Sequence, residues 1–382
     1  MKNNKMFVNI GVLVLVAVLC FLAGKDFKAM HTPDYISRRN PGITEVRMLS
    51  DYSPGLKDTA ADVEIYVFDS GKPGGSMLIL GGTHPNETAG LLNTVLWIEN
   101  VTCEEGTLYV IPRANSLGFT ATAPMRGDQD FFVYTLDDGT QRTFRNGNRH
   151  SNAAFQWPDA NYHDGNTGRV LVNNEVPENR NLNRNHTGRI DGNLTEKMCY
   201  GIYNLILTDE IDVLYDAHEA GLRFPRINYL IAHERAMPLG SMAIMNNVID
   251  GHPFAIDLSG ATSYGLSHRS LGDNTNTYAT LFETLNPAQG TLHGKVTWDL
   301  VMNGIDPINV ELTKRGAYDG MLGLTEAGSP MEQRTGYHMV MCQQLAVALT
   351  DLYPDKPLVL SGMPSYDDLV EKGFGHYLQP VQ

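Results

Sequence analysis

Apolar and polar positions fall along the chain in three patterns. An uninterrupted apolar stretch runs from Phe7 to about Gly24, broken only by Asn9 and preceded by Lys2 and Lys5. It reads as an export signal or a single membrane anchor, because its length lies between a signal apolar region of about 7 to 15 residues and a spanning helix of about 17 or more. A polar stretch from 25 to 62 follows and is expected to be a linker. Beyond it, short β-rich runs alternate with helical patterns. Val63 to Phe68 places Val63, Ile65 and Val67 on one strand face, Met77 to Leu80 and Thr107 to Ile111 read as buried strands, and Leu91, Leu92, Val95, Leu96 and Ile98 follow helical spacing. A helix closing at Leu205 to Leu207 leads into a strand from Ile211 to Tyr215. A last helix carries Tyr337, Met341, Leu345, Ala348 and Leu352 on one stripe and stops at Pro354.

Strands interleaved with amphipathic helices predict an α/β sandwich with a largely parallel sheet, whose sites gather at the carboxyl ends of the strands. The segment from 127 to 178 breaks this rhythm. Phe131 to Leu136, Asp137-Asp138-Gly139 and Gln141 to Phe144 predict a β-hairpin, and an Asn-, Gly- and His-rich stretch follows. The whole reads as an insertion, a functional lid or a disordered loop, within one catalytic domain spanning 63 to 382.

With 382 residues and 42% apolar content, the chain has enough material for one large core. A net charge of −14 without any basic run argues against nucleic acid as a partner. Beyond Cys20, the cysteines Cys103, Cys199 and Cys342 are odd in number and widely spaced, so they do not form a disulfide framework. Glycosylation sequons at Asn86 and Asn185 fall inside the motifs described next, where a glycan would block chemistry. That favours bacterial export over eukaryotic secretion.

Gly81-Gly82-Thr83-His84-Pro85-Asn86-Glu87 leaves a buried strand with an imidazole and a carboxylate three residues apart, which one helical turn brings to the same face. Ile211 to His218 is an apolar strand ending in a second histidine. A catalytic zinc takes three protein ligands and keeps one position open, so His84, Glu87 and His218 form a candidate set. Asp216, on the same strand face as His218, either orients a ligand or makes an ordinary salt bridge. Asn183 and Arg184 lie in a polar loop, where a guanidinium suits a substrate carboxylate or caps backbone carbonyls.

In order, strand-Gly-Gly-Thr-His84-Pro-Asn-Glu87, Ile111-Pro112-Arg113-Ala114-Asn115, Asn181-Leu182-Asn183-Arg184, Asp216-Ala217-His218 and Phe282-Glu283 resemble the zinc carboxypeptidase superfamily, particularly its succinylglutamate desuccinylase/aspartoacylase branch. The resemblance covers roughly residues 60 to 350 and implies a three-layer α/β sandwich with a mixed, largely parallel central sheet. It implies one Zn2+ held by His84, Glu87 and His218, with Asn183 and Arg184 on the substrate carboxylate. It also implies Glu283 as general base, with Glu326 as the competitor, and Arg126 as the arginine polarising the scissile carbonyl, with Arg113 and Arg180 as competitors. Asn181 stands where the branch commonly has aspartate, and Pro85 where it commonly has glycine. The implied activity is hydrolysis of an amide in an N-acyl amino acid. The alternatives are a carboxypeptidase acting on exported or cell-wall peptides, and a catalytically silent binding module. The site of action is expected to be periplasmic or extracellular, with membrane contact only through residues 7 to 24.

Overall fold

The computed structural model describes residues 2–30, 34–121, 131–156, 162–163, 170–171, 178–316 and 328–380. Its centre is an eight-stranded sheet. In chain order the strands are β1 (Glu45–Met48), β2 (Glu64–Asp69), β3 (Ser76–Leu80), β4 (Thr107–Ile111), β5 (Val213–Ala220), β6 (Tyr229–Ala232), β7 (Ala255–Leu258) and β8 (Tyr278–Leu285). In space they run β1-β2-β4-β3-β5-β8-β6-β7. The four central strands β4, β3, β5 and β8 are mutually parallel, while β1, β2 and β6 pair antiparallel at the flanks.

Every residue of β3 and β5 is buried, as expected for parallel strands covered on both faces. The two faces serve separate cores. Tyr66, Phe68, Met77, Ile79, Val213 and Tyr215 pack with helices α1 (Thr88–Asn100), α2 (Met237–Ile249) and α3 (Met331–Leu352). Ile65, Val67, Leu78, Leu80, Ile111 and Leu214 pack on the opposite face with the helix Leu194–Thr208. Helices on both faces of a mixed, largely parallel sheet make the three-layer sandwich expected from the alternation of strands and helices.

The segment expected to be a linker contributes elements of its own. Within 34–62 lie the edge strand β1 and two 3-10 turns, and Leu49 and Leu56 are fully buried. The hairpin expected inside the insertion forms, with Phe131–Thr135 paired to Gln141–Arg145. It is tied to the body through Arg142, which is 1% exposed and donates to both carboxylate oxygens of Glu99 on α1 at 2.9 and 3.1 Å. Glu99 also accepts the backbone N–H groups of Ser37 and Gln379, so both ends of the described domain meet the insertion at one buried charge pair.

Among the described residues the cysteines are free thiols; Cys199 and Cys342 are buried and Cys103 is half-buried. Residues Lys2–Met30 form one long helix, exposed from 5 to 28. Within Lys5–Lys28 the most apolar 18 residues have a mean hydropathy of 2.8, and the helix is long and apolar enough to cross a membrane.

Arg142→Met removes one partner of a buried ion pair and leaves Glu99 uncompensated. The expected loss is about 3 to 5 kcal/mol in chemical denaturation. A loss below about 1 kcal/mol would show that the hairpin is peripheral to the fold.

Candidate metal centre

The site lies at the carboxyl ends of adjacent central strands. After β3 the chain turns through Gly81 and Gly82, and the turn is held by the segment that follows β4. Gly81 N–H donates to the Ile111 carbonyl, while Ala114 and Asn115 N–H donate to the carbonyls of Gly81 and Gly82. Gly82 has φ +64°, and a Cβ there would lie 2.7 Å from the Phe119 ring, so both conformation and space demand glycine. The turn delivers His84, and Glu87 follows as the N-cap of α1. On β5 the strand runs two residues beyond His218, to Ala220, where the sequence suggested that it ends at the histidine. In β8, Glu283 sits level with His218 across the parallel pairing.

His84, Glu87 and His218 are 3%, 2% and 1% exposed, and their ligand atoms lie within 4.8 Å of one another. His84 Nδ1 is 2.7 Å from Glu87 Oε1, His218 Nδ1 is 2.9 Å from Oε2, and the two Nδ1 atoms are 3.1 Å apart. The outer nitrogens are already engaged. His84 Nε2 faces Asn181 Oδ1 at 2.9 Å, and His218 Nε2 faces Asp216 Oδ2 at 3.0 Å. If each Nε2 carries its proton toward those oxygens, both Nδ1 lone pairs and the Glu87 carboxylate point at one another. Acceptors so arranged in a buried space need a cation between them. Two imidazoles and one carboxylate suit a divalent ion that keeps a further position open. The residues therefore fit the metal.

The titration behaviour agrees. Burial alone would raise the Glu87 pKa, but the two imidazoles hold it well below the ordinary carboxylate value. Burial would lower the His218 pKa, yet Asp216 and Glu87 drive it well above the ordinary histidine value. Burial and the Arg149 charge push His84 down to about 4. With no metal bound, one proton on His218 takes the place of the cation.

Glu283 is the other distinctive acid. Burial raises its pKa to about 7; His218 opposes this and Glu87 adds to it. Its Oε2 is buried without a hydrogen-bond partner, a costly arrangement unless it meets water or a ligand.

The polar loop comes close as well. Asn183 is buried, its Oδ1 accepts the Ser267 N–H at 2.8 Å, and its Nδ2 lies 3.5 Å from His218 Nε2, on the outer side of the ring. Arg184 is half-buried and donates to the Asn183 carbonyl. Asp216 is fully buried, so the surface salt-bridge reading does not apply to it.

Arg126 and Glu326 lie outside the described residues. Of the two competing arginines, Arg113 donates to the Asp34 carbonyl and Arg180 to the Ser151 carbonyl. Arg149, which sequence reasoning missed, has Nη1 3.8 Å from Glu87 Oε1. It is brought there by backbone contacts, Gly147 N–H to the Pro85 carbonyl and Asn148 N–H to the Gly118 carbonyl, which have no sequence signature. His268 is buried against the Ser259 hydroxyl at 2.7 Å, and His293 bonds the adjacent Gly294 carbonyl. A second cluster, His233, Glu234 and Asp273, already surrounds a cation, the Arg269 guanidinium.

In metal-free protein Glu283 binds its proton more tightly when folded than when unfolded. It therefore imposes no penalty below about pH 4.5, and a growing one as pH rises through about 7. Glu283→Gln should match the parent near pH 4.5 and exceed its stability by about 2 to 3 kcal/mol above pH 7.5, measured by denaturant titration in the presence of a chelator. Equal stability at both pH values would refute the buried-acid description.

No family model and no curated protein sequence matches the chain. Among solved structures, it is similar to a succinylglutamate desuccinylase from Silicibacter, with 20% identity over 60% of this chain and 55% of that one, at a TM-score of 0.36. It is also similar to the cell shape determinant protein Csd4 from Helicobacter pylori, at 13% identity, 81% and 60% coverage and a TM-score of 0.42. A third is a metallo-carboxypeptidase from Burkholderia cenocepacia, at 12%, 82% and 66%, and 0.46. The chain thus spans between 55% and 66% of the length of these three proteins.

Proposed function

We propose that the protein is a zinc-dependent hydrolase of an amide bond in a carboxylate-bearing substrate. The observation that carries this reading is the buried convergence of His84 Nδ1, His218 Nδ1 and the Glu87 carboxylate, with the partnerless oxygen of Glu283 on the neighbouring strand. A bound zinc supplies a Lewis acid and a water whose pKa falls toward about 7.

The chain's own residues supply the rest. His84, Glu87 and His218 hold the ion and leave a side open. Glu283 takes the proton of the attacking water and passes it to the leaving nitrogen; a carboxyl group with a pKa near neutrality suits both transfers. A guanidinium beside the cluster stabilises charge developing on the carbonyl oxygen, a contribution of roughly 3 to 4 kcal/mol for a well-placed donor. Arg149, with Nη1 3.8 Å from Glu87 Oε1, is one described candidate for that task, and Arg126 remains the assignment implied by the family resemblance. Arg184, beside Asn183, is assigned to the substrate carboxylate, which a guanidinium grips through two parallel hydrogen bonds.

An N-acyl amino acid is the favoured substrate, because the ordered motifs lean toward the desuccinylase/aspartoacylase branch. A peptide with a free carboxyl end is the second reading, favoured by the long apolar helix Lys2–Met30 as an export signal or anchor, which would place the site among extracellular or periplasmic peptides.

Elemental analysis of the purified chain should give about one zinc, lost in His84→Ala and in His218→Ala. Glu283→Gln should keep the zinc and lower kcat by about 10²- to 10⁴-fold on whichever substrate class is turned over. A folded parent that takes up no supplied zinc would overturn the enzyme reading in favour of a binding module. Zinc retained alongside full activity in Glu283→Gln would remove Glu283 from the mechanism.

A further inference from the structure

The two imidazoles that face the metal position are backed by chemically different groups. Behind His218 stands Asp216, fully buried, with the Thr83 hydroxyl donating to Oδ1 at 2.7 Å and the Ser267 hydroxyl donating to Oδ2. Both Asp216 oxygens thus accept hydroxyl hydrogens while Oδ2 also faces His218 Nε2 at 3.0 Å, the pattern of a carboxylate, which puts a formally charged group behind that ring. Behind His84 stands Asn181, also fully buried, whose Oδ1 is 2.9 Å from Nε2. The same oxygen accepts the Asn183 N–H at 2.9 Å, which identifies it as the oxygen end of the amide and His84 Nε2 as the protonated nitrogen.

Both rings therefore take the same tautomer and offer Nδ1 inward, yet only one of them has a formal charge behind it. A carboxylate hydrogen-bonded to the outer N–H of an imidazole makes the inner nitrogen a stronger donor, and an uncharged amide oxygen does so much less. In a buried site no water makes up the difference. Arg149 adds positive charge at the same cluster and further disfavours a cation there.

We propose that Asn181 sets the metal affinity of this centre: by backing His84 with a neutral amide it makes that ring an essential but weaker ligand than a carboxylate-backed imidazole would be, so the ion is held less tightly than the three-ligand set could hold it. Asn181 is thus a positioning and tuning residue that acts through His84. The inference rests on the metal reading of the His84, Glu87 and His218 site.

The test is a zinc titration against a fluorescent chelator, on the full chain in detergent, for the parent, Asn181→Asp, Asp216→Asn and His84→Ala. Asn181→Asp gives both rings a carboxylate and should tighten zinc binding by about tenfold or more, while Asp216→Asn gives both an amide and should weaken it by a similar factor. His84→Ala should abolish binding. The His84 Nε2 proton resonance supplies an independent readout and should move downfield in Asn181→Asp, a change that altered packing alone would not produce. Zinc bound by the parent and lost in His84→Ala, with no tightening in Asn181→Asp, overturns this inference and leaves the metal site standing. A parent that binds no zinc overturns the metal reading itself. Should Asn181→Asp fail to fold, Asp216→Asn decides: unchanged affinity in a cooperatively melting protein also refutes the inference.

Discussion

Three hydrogen-bond acceptors cannot be buried against one another without a cation, and most of the architecture around residues 84 to 87 and 216 to 219 answers that constraint. The Nδ1 atoms of His84 and His218 and the carboxylate of Glu87 converge to between 2.7 and 3.1 Å. Groups outside hold them there. Asn181 and Asp216 fix the outer nitrogens, and the Glu219 N–H donates to Glu87 Oε2 at 3.0 Å. Glu219 in turn accepts the Ala89 N–H at the start of α1 and pairs with Arg334, which is 1% exposed on α3. Burial lifts the Glu219 pKa to about 7 despite that arginine, a measure of how dry the surroundings are. Such a scaffold costs stability, and it holds the acceptors at their separations before any ligand arrives.

The sheet explains why these residues meet at all. Parallel strands present their carboxyl ends on one edge, and β3, β5 and β8 are consecutive there. His218 and Glu283 fall level because β5 and β8 pair in register, so an acid placed on one strand lies beside an imidazole on the next. His84 and Glu87 arrive from the third strand through a turn that only glycine at position 82 permits.

Much of this was legible in the sequence, for a physical reason: fully buried parallel strands are mostly apolar, so polar residues in their carboxyl-terminal halves stand out. Gly81 to Glu87, Asp216 to His218 and Phe282-Glu283 all announce themselves in this way. The core helices and the hairpin at 131 to 145 were readable from periodicity and from Asp137-Asp138-Gly139. Edges were not. β1 lies within a polar stretch because it is partnered on one side only, and Glu45 and Arg47 stay accessible to solvent, so its composition is that of a linker. Arg149 was invisible because backbone bonds of Gly147 and Asn148 position it, and main-chain geometry carries no residue code. The departure at Asn181 was legible as a substitution, but its contact with His84 appeared only when the loop was seen behind the ring.

The sequence separation of the ligands bears on how the protein matures. His84 and His218 stand 134 residues apart, and Glu283 lies on a strand later still. A chain leaving the ribosome or threading through an export pore presents His84 and Glu87 long before their partner exists, and two such groups on an unformed turn hold a divalent ion poorly. The complete ligand set arises only when β5 closes against β3, after the costly long-range pairing of the sheet has been made. The pocket formed by these groups is therefore a product of the finished sheet, and any cation it takes is bound after assembly.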